Sequence, residues 1–498
     1  MKQFWQKCKA YVTPARLSRL GIAALVIAVV IAVNAVTYAL TSTLGLYLYD
    51  ARGLDLTLSD APEAALSRAA EEGDTVTVLF CQAEDDVRAH ATGANVYETA
   101  KQMAERFPSL IELEFVNIVI HPERVAAYRD EENGQYVSST SVIFIHGENY
   151  RILTTVNNSM GYIDFYTLDT NTGAIVAYNG EEVLTAGVLW VLQDEHKKVY
   201  FTEGHFETAT LTLTSLLGNA GYSIGVLDLH SEEGPSDAEM VVISNPMQDF
   251  EKAGAAAMRA ELDRLESYMD RGGTVLAMLD PSLKEDLSNL KGFLATYGIT
   301  VTASEAGEVG LVRDTTGAVS TDGMSVQCRF GTGTLATRLR EEVETYADGS
   351  VKLPWTGALT LDASLGAEAL LTASPTSVLY AGGEVIDREG SYALVGYGER
   401  EREGQTSRVV VVPSAYLTES GAMISNGYAN RDFLYALLAS LDEDAGIMPM
   451  NCRMALITDT TLENLTLGTA RWITAAVLTV PVALGVVGFV ILLRRRLA

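Results

Sequence analysis

Cysteine is scarce in this chain: Cys8, Cys81, Cys328 and Cys452 are the only four in 498 residues. Four are too few for a disulfide scaffold, and no pair has the C-x-x-C spacing of a zinc site or a dithiol centre. The six histidines form no H-E-x-x-H pair, so the sequence supports neither a metal nor any other cofactor. A G-x-x-x-x-G-K-[ST] loop and a strand-linked G-x-G-x-x-G are both missing, so the chain does not resemble an ATPase. Gly221-Tyr222-Ser223-Ile224-Gly225 spells G-x-S-x-G, but Ser223 falls at the start of a strand and not at the strand-to-helix turn of a nucleophile elbow. There is no strong internal repeat and no long low-complexity tract.

Acidic residues are missing from both ends. All 64 Asp and Glu lie between Thr41 and Ala470, and the chain carries a net charge of −28. A surface so acidic repels nucleic acid and draws basic partners. At each end stands an uncharged apolar run of 21 residues, Leu20–Leu40 and Ile473–Leu493. At about 1.5 Å per residue each matches a hydrocarbon core roughly 30 Å thick. The expectation is therefore a lipid bilayer crossed by one transmembrane helix at each end, at 20–40 and 472–493. Lys2, Lys7, Lys9, Arg16 and Arg19 precede the first run, and Arg494–Arg496 follow the second. Basic flanks stay cytoplasmic, so the segments 1–19 and 494–498 are expected inside and the acidic middle outside. A cleaved signal peptide is the rival for the first run, but a secretory apolar core is shorter, about 7–15 residues.

Two units are expected in the middle. In the first, 53–180, the strand Thr75–Cys81 leads to a helix at Val96–Phe107. A second strand, Ile111–Val119, a short helix near Pro122–Tyr128 and paired strands at Val142–Ile145 and Arg151–Thr155 follow. That is the order of a thioredoxin-like α/β sandwich. Cys81 closes its first strand, but Glu84 stands where a resolving cysteine belongs, so a structural cysteine is expected. The second unit, 181–446, alternates apolar strands (Val199–Thr202, Tyr222–Leu229, Met240–Ile243, Thr274–Leu279) with helical stripes, the pattern of a doubly wound parallel sheet. About 300–372 the stripes fade, and an irregular insertion or a β-rich section is expected.

Ligands of such sheets bind beyond the carboxyl ends of the strands. The candidate ligand-binding residues there are Glu203, Gly204, His205 and Glu207 after one strand, Asn245 after another and Asp280 after a third. A histidine flanked by carboxylates is also a candidate general base. Against this stands ordinary turn chemistry at Gly204, Asn245-Pro246 and Asp280-Pro281. No catalytic residue and no metal ligand is assigned.

The strings VYFTEGHFE (199–207), DAEMVVISNPMQDF (237–250), LESYMDRGGTVLAMLDP (265–281), VVVVPSAYLTES (409–420) and NRDFLYALLASL (430–441) together resemble the GldG-type family, first associated with gliding motility. The resemblance implies a bacterial plasma-membrane protein, a non-enzymatic auxiliary subunit of an ABC transporter. Its implied partners are an ABC-2 type permease and a cytoplasmic ATPase subunit. It also implies a glutamine-amidotransferase-like second unit lacking the catalytic cysteine. A cell-envelope hydrolase built on His205 and a structural or sensory ectodomain are the alternatives.

Overall fold

The computed structural model describes residues 54–457 apart from short segments, the longest being 156–163, 252–259 and 443–451. The chain divides into two compact units, Met1–Val156 and Asn157–Ala498.

In the first unit, helix α1 (Asp60–Glu72) precedes strand β1 (Val76–Phe80), helices α2 (Glu84–Ala89) and α3 (Ala91–Arg106), and strand β2 (Ile111–Phe115). A 3-10 turn at Pro122–Tyr128 then leads to strands β3 (Ser141–His146) and β4 (Asn149–Thr154). The sheet order is β2-β1-β3-β4, with β1 parallel to β2 and antiparallel to β3. Val76, Val78, Leu79 and Phe80 are buried, as a β-branched and aromatic run requires in a central strand. Helix α3 turns Val96, Ala100 and Met103 inward at helical spacing.

The second unit opens with strands β5 (Tyr166–Leu168) and β6 (Ile175–Tyr178), helix α4 (Gly180–Val191), strand β7 (Lys198–Thr202), helix α5 (Leu211–Asn219) and strand β8 (Ser223–Leu227). Strand β9 (Ala238–Ser244), helix α6 (Glu261–Met269), strand β10 (Thr274–Met278), helix α7 (Ser288–Ala295) and strand β11 (Ile299–Val301) follow. Later come strands β12 (Leu359–Leu361), β13 (Ala393–Arg402) and β14 (Gln405–Val412), helix α8 (Asn430–Leu441) and strand β15 (Ala455–Leu456). The main sheet runs β11-β12-β13-β14-β10-β9-β7-β8. Its β8, β7, β9, β10 and β14 are mutually parallel, and β13 turns antiparallel.

Period-two alternation sends neighbouring residues of these strands to opposite faces. Met240, Val242, Leu276 and Met278 share a core with Leu213, Leu216 and Leu217 of α5 and with Phe433, Leu434 and Leu437 of α8. Val241, Ile243, Val275 and Ala277 pack instead on Leu262, Leu265 and Met269 of α6 and on Leu290 and Phe293 of α7. Helices thus cover both faces. Each buried large side chain contributes about 1.5–3 kcal/mol. Gly272, at φ 88°, ends the turn after α6 in a conformation that disfavours any side chain.

Three expectations need correction. The fold is mixed α/β, but among the described residues no helix is long and apolar enough to cross a membrane. The longest described helix, α3, has 16 residues and spans about 24 Å, short of a core about 30 Å thick. The runs at 20–40 and 472–493 lie outside the described residues. Residues after 156 belong with the second unit, because β6 pairs with both β5 and β15. Such short strands leave little local signal, and the distant partner β15 is invisible to spacing. The region 300–372 is not an irregular insertion either. Its β12 and Glu368–Thr372 strands pair with β13 in the main sheet, and a helix at Thr334–Tyr346 packs there through Ala336 and Leu339.

Candidate functional site

The chain leaves β7 for β8 on one side and returns to β9 on the other, so the strand order reverses between β7 and β9. A crevice opens at the carboxyl ends of strands at such a point. The loops after Thr202 and Ser244 form it.

The β7 loop makes an abrupt turn. Glu203 is exposed while its backbone N–H still donates to Leu227 O at 3.0 Å, extending the β7–β8 ladder. Gly204 then takes φ 114°, and Phe206 takes φ 55° with two-thirds of its surface (66 %) exposed. A bulky residue in the left-handed region is costly, about 1–3 kcal/mol, and such residues cluster at binding sites. Between them His205 points inward and is 5 % exposed.

His205 is clamped between two carboxylates. Its Nδ1 lies 3.1 Å from Glu207 Oε1 and its Nε2 lies 3.1 Å from Glu261 Oε2. Its ring stacks on Phe250 with centroids 3.8 Å apart. Glu207 Oε2 also accepts the His205 backbone N–H at 2.8 Å, and Glu261 Oε2 accepts the N–H of Glu251 at 2.6 Å. Ionised carboxylates only accept, so both ring nitrogens donate and the ring is an imidazolium. Burial opposes that charge, but the hydrogen bonds and charges of Glu207 and Glu261 outweigh it and raise the His205 pKa. Burial would likewise raise the Glu207 pKa, yet the hydrogen bond from His205 and backbone N–H donors bring it below its ordinary value. A ring with both nitrogens engaged has no lone pair to take a proton. The general-base role expected from the flanking acids therefore does not fit this arrangement.

Asn245 sits across the crevice. Its φ is 50° and it is 4 % exposed, with its N–H donating to Met278 O at 2.9 Å. Both side-chain atoms, Oδ1 and Nδ2, are buried without a hydrogen-bond partner among the described residues. Leaving such a group unsatisfied costs about 1–3 kcal/mol, so an incoming ligand that pairs with it gains that amount. The two loops are joined: Met247 and Gln248 donate backbone N–H groups to His205 O at 2.8 and 3.2 Å. Ser244 Oγ donates to Thr208 O at 2.8 Å. Met247, 52 % exposed, adds a second apolar group to the rim beside Phe206.

Of the sequence candidates, the fold brings together His205, Glu207 and Asn245, with Gly204 supplying the turn. Glu203 faces solvent. Asp280 closes β10 in a local turn, its Oδ1 accepting the Ser282 N–H at 2.8 Å. Sequence reading missed Glu261 and Phe250. Glu261, the first residue of α6, is 56 positions from His205. Its only local signal is an acidic residue in a helix's first turn. Thiol chemistry finds no footing. Cys81, Cys328 and Cys452 are buried, and burial, only partly offset by Arg129, pushes the Cys81 thiol up to about 12.

No protein-family model matches the chain. No curated protein matches it either. Among solved structures, the mmIFT52 N-terminal domain is similar with a TM-score of 0.37 and 16% identity, over 49% of this chain and 96% of that one. Cytoplasmic Protein STM3548 from Salmonella typhimurium is similar with a TM-score of 0.28 and 12% identity, over 49% of this chain and 98% of that one. Both scores fall below 0.5, and neither likeness bears on what this chain binds.

Proposed function

We propose that the chain is a non-enzymatic, substrate-engaging auxiliary subunit of a bacterial ABC transporter, working with a separate permease and ATPase. What supports the reading is where the family-like strings fall in the fold. VYFTEGHFE forms β7 and the His205 turn, and DAEMVVISNPMQDF forms β9, the Asn245 turn and the Phe250 stack. LESYMDRGGTVLAMLDP runs through α6 and β10, and VVVVPSAYLTES ends β14, the neighbour of β10. The strings therefore converge on one sheet and chiefly on its carboxyl edge.

The observation that carries the binding role is the Asn245 amide, buried and without a partner among the described residues, beside a loop strained at Phe206. An amide offers one acceptor and two donors, so it selects a ligand that presents both kinds of group. A hydrolase reading lacks a free base at His205, both of whose ring nitrogens are engaged. Isolation of the tagged chain in mild detergent from its own cells, followed by mass spectrometry, tests the proposal. An ABC permease and its ATPase are expected in stable proportion, and recovery of the chain alone defeats it.

A further inference from the structure

Proteins guard the free edges of their sheets with charge, proline, a bulge or a very short strand. At one end of the main sheet stands β11, which has only 3 residues. The other end, β8, has none of these guards. It is 5 residues long, holds no proline and no charged residue, and pairs with β7 without a register shift. The surrounding sequence is equally bare: the 20 residues Thr208–Leu227 contain no Asp, Glu, Lys or Arg, in a chain where such residues make up 20%. That stretch spans α5 and β8. Val226 within it is 56 % exposed.

The backbone of this edge is open. Ser223 donates its N–H to Lys197 O at 2.9 Å and Leu227 O accepts the Glu203 N–H at 3.0 Å, so Ser223, Gly225 and Leu227 turn their backbone groups toward β7. Ile224 and Val226 point theirs outward, where no backbone partner stands among the described residues. Their side chains share one face of the sheet, on which Ile224 packs against the core that holds Leu213 and Leu217 of α5.

We propose that β8 pairs antiparallel with β8 of a second copy of this chain, about a two-fold axis through Gly225, so that the two main sheets become one. Ile224-Gly225-Val226 reads as β-branched residue, glycine, β-branched residue in either direction, which makes the edge self-complementary. Ile224 then stands opposite the partner's Val226, and each such pair exchanges both of its N–H···O bonds. Gly225 meets its own equivalent at the close, non-bonded position, about 4.5 Å apart between Cα atoms, where no side chain obstructs. Charge decides the occupant. Each chain carries a net −28, and along this uncharged edge two copies meet without setting like charges face to face. Asp228, the first charged residue beyond the strand, falls opposite the partner's Tyr222 and about 20 Å from its own equivalent. The pairing does not rest on the transporter reading.

Density-matched sedimentation equilibrium of the full chain in mild detergent, at micromolar concentration and physiological salt, should give the mass of two chains. Val226→Lys puts a charge on the edge and should halve that mass. Its side chain is exposed, so the fold should survive, which circular dichroism checks, and Val226→Glu replaces it if it does not. Val385→Lys, at an exposed apolar site on a different strand, should leave the dimer whole. Disulfide formation in a Cys8→Ser background reads the register. Copies carrying Ile224→Cys, mixed with copies carrying Val226→Cys, should crosslink, because residues opposite one another here stand about 5.5 Å apart between Cα atoms, within disulfide reach. Neither variant alone should crosslink, since its two equivalents lie on the diagonal, about 7–8 Å apart. A wild-type mass of one chain, a dimer that the folded edge variant leaves whole, or crosslinking of Val226→Cys with itself overturns the proposal.

Discussion

Replacing His205 with alanine removes the cation held between two buried carboxylates. The Glu207 and Glu261 side chains are 6 % and 5 % exposed, so water cannot take over from the imidazolium. Removing one partner of a buried ion pair costs about 3–5 kcal/mol, and that loss is expected near pH 6. The pH dependence carries a second signature. His205 is raised above its ordinary 6.5, so its contribution is full below that pH and is lost as pH rises through the raised folded value. Glu207 is lowered below its ordinary 4.5, so its contribution is full above that pH and is lost as pH falls through the lowered folded value. The wild type should therefore hold a stability plateau between pH 4.5 and 6.5 that His205→Ala lacks. Urea unfolding followed by tryptophan fluorescence reads this directly, because Trp190 and Trp355 both stand in the second unit. A loss below about 1 kcal/mol, with the pH profile unchanged, would refute the clamped imidazolium. Replacing His205, Glu207 and Glu261 together with apolar residues of similar volume should restore most of the stability.

Three further outcomes follow from the same geometry. Asn245→Gly relieves the strain of φ 50° and removes an amide that has no partner among the described residues. Its unfolding free energy should stay within about 1 kcal/mol of wild type, and a larger loss would make the amide structural. Tyr435→Phe removes a hydrogen bond to the buried Glu182 carboxylate and should cost about 1.5–3 kcal/mol in the same urea assay. Iodoacetamide at pH 8 should leave Cys81, Cys328 and Cys452 unlabelled in the folded chain and label all three in guanidinium. Peptide mass spectrometry checks this consequence of their burial.

Much of the second unit was legible because its strands are continuous apolar runs and its helices keep a clean stripe. The Asn430–Leu441 helix falls where Phe433, Leu434, Leu437 and Leu438 place it. The β7 and β9 turns were legible for another reason: Gly204 and Asn245-Pro246 are residue types that few other conformations need. What stayed hidden is non-local. Nothing near His205 in sequence announces Glu261, because α6 reaches it only through the β9-α6-β10 crossover. The pairing of β6 with β15 joins segments far apart in the chain, and β12 has only 3 residues, too few to show alternation. Reading His205 as a base followed from its acidic neighbours. A second carboxylate on the other nitrogen reverses that reading, and only tertiary structure supplies it. The apolar runs at the two ends set an expectation of spanning helices that no described helix bears out.

Photo-crosslinking from position 206 tests the central claim most directly. A benzoylphenylalanine in place of the exposed Phe206 faces the strand-end crevice, whereas one in place of Arg271, exposed just before β10 begins, marks the opposite edge of the sheet. In living cells the account predicts an adduct with the transporter or its cargo from position 206 and none from 271, and loss of that adduct with Asn245→Trp. Adducts of equal yield from both positions, or none from 206, would contradict it.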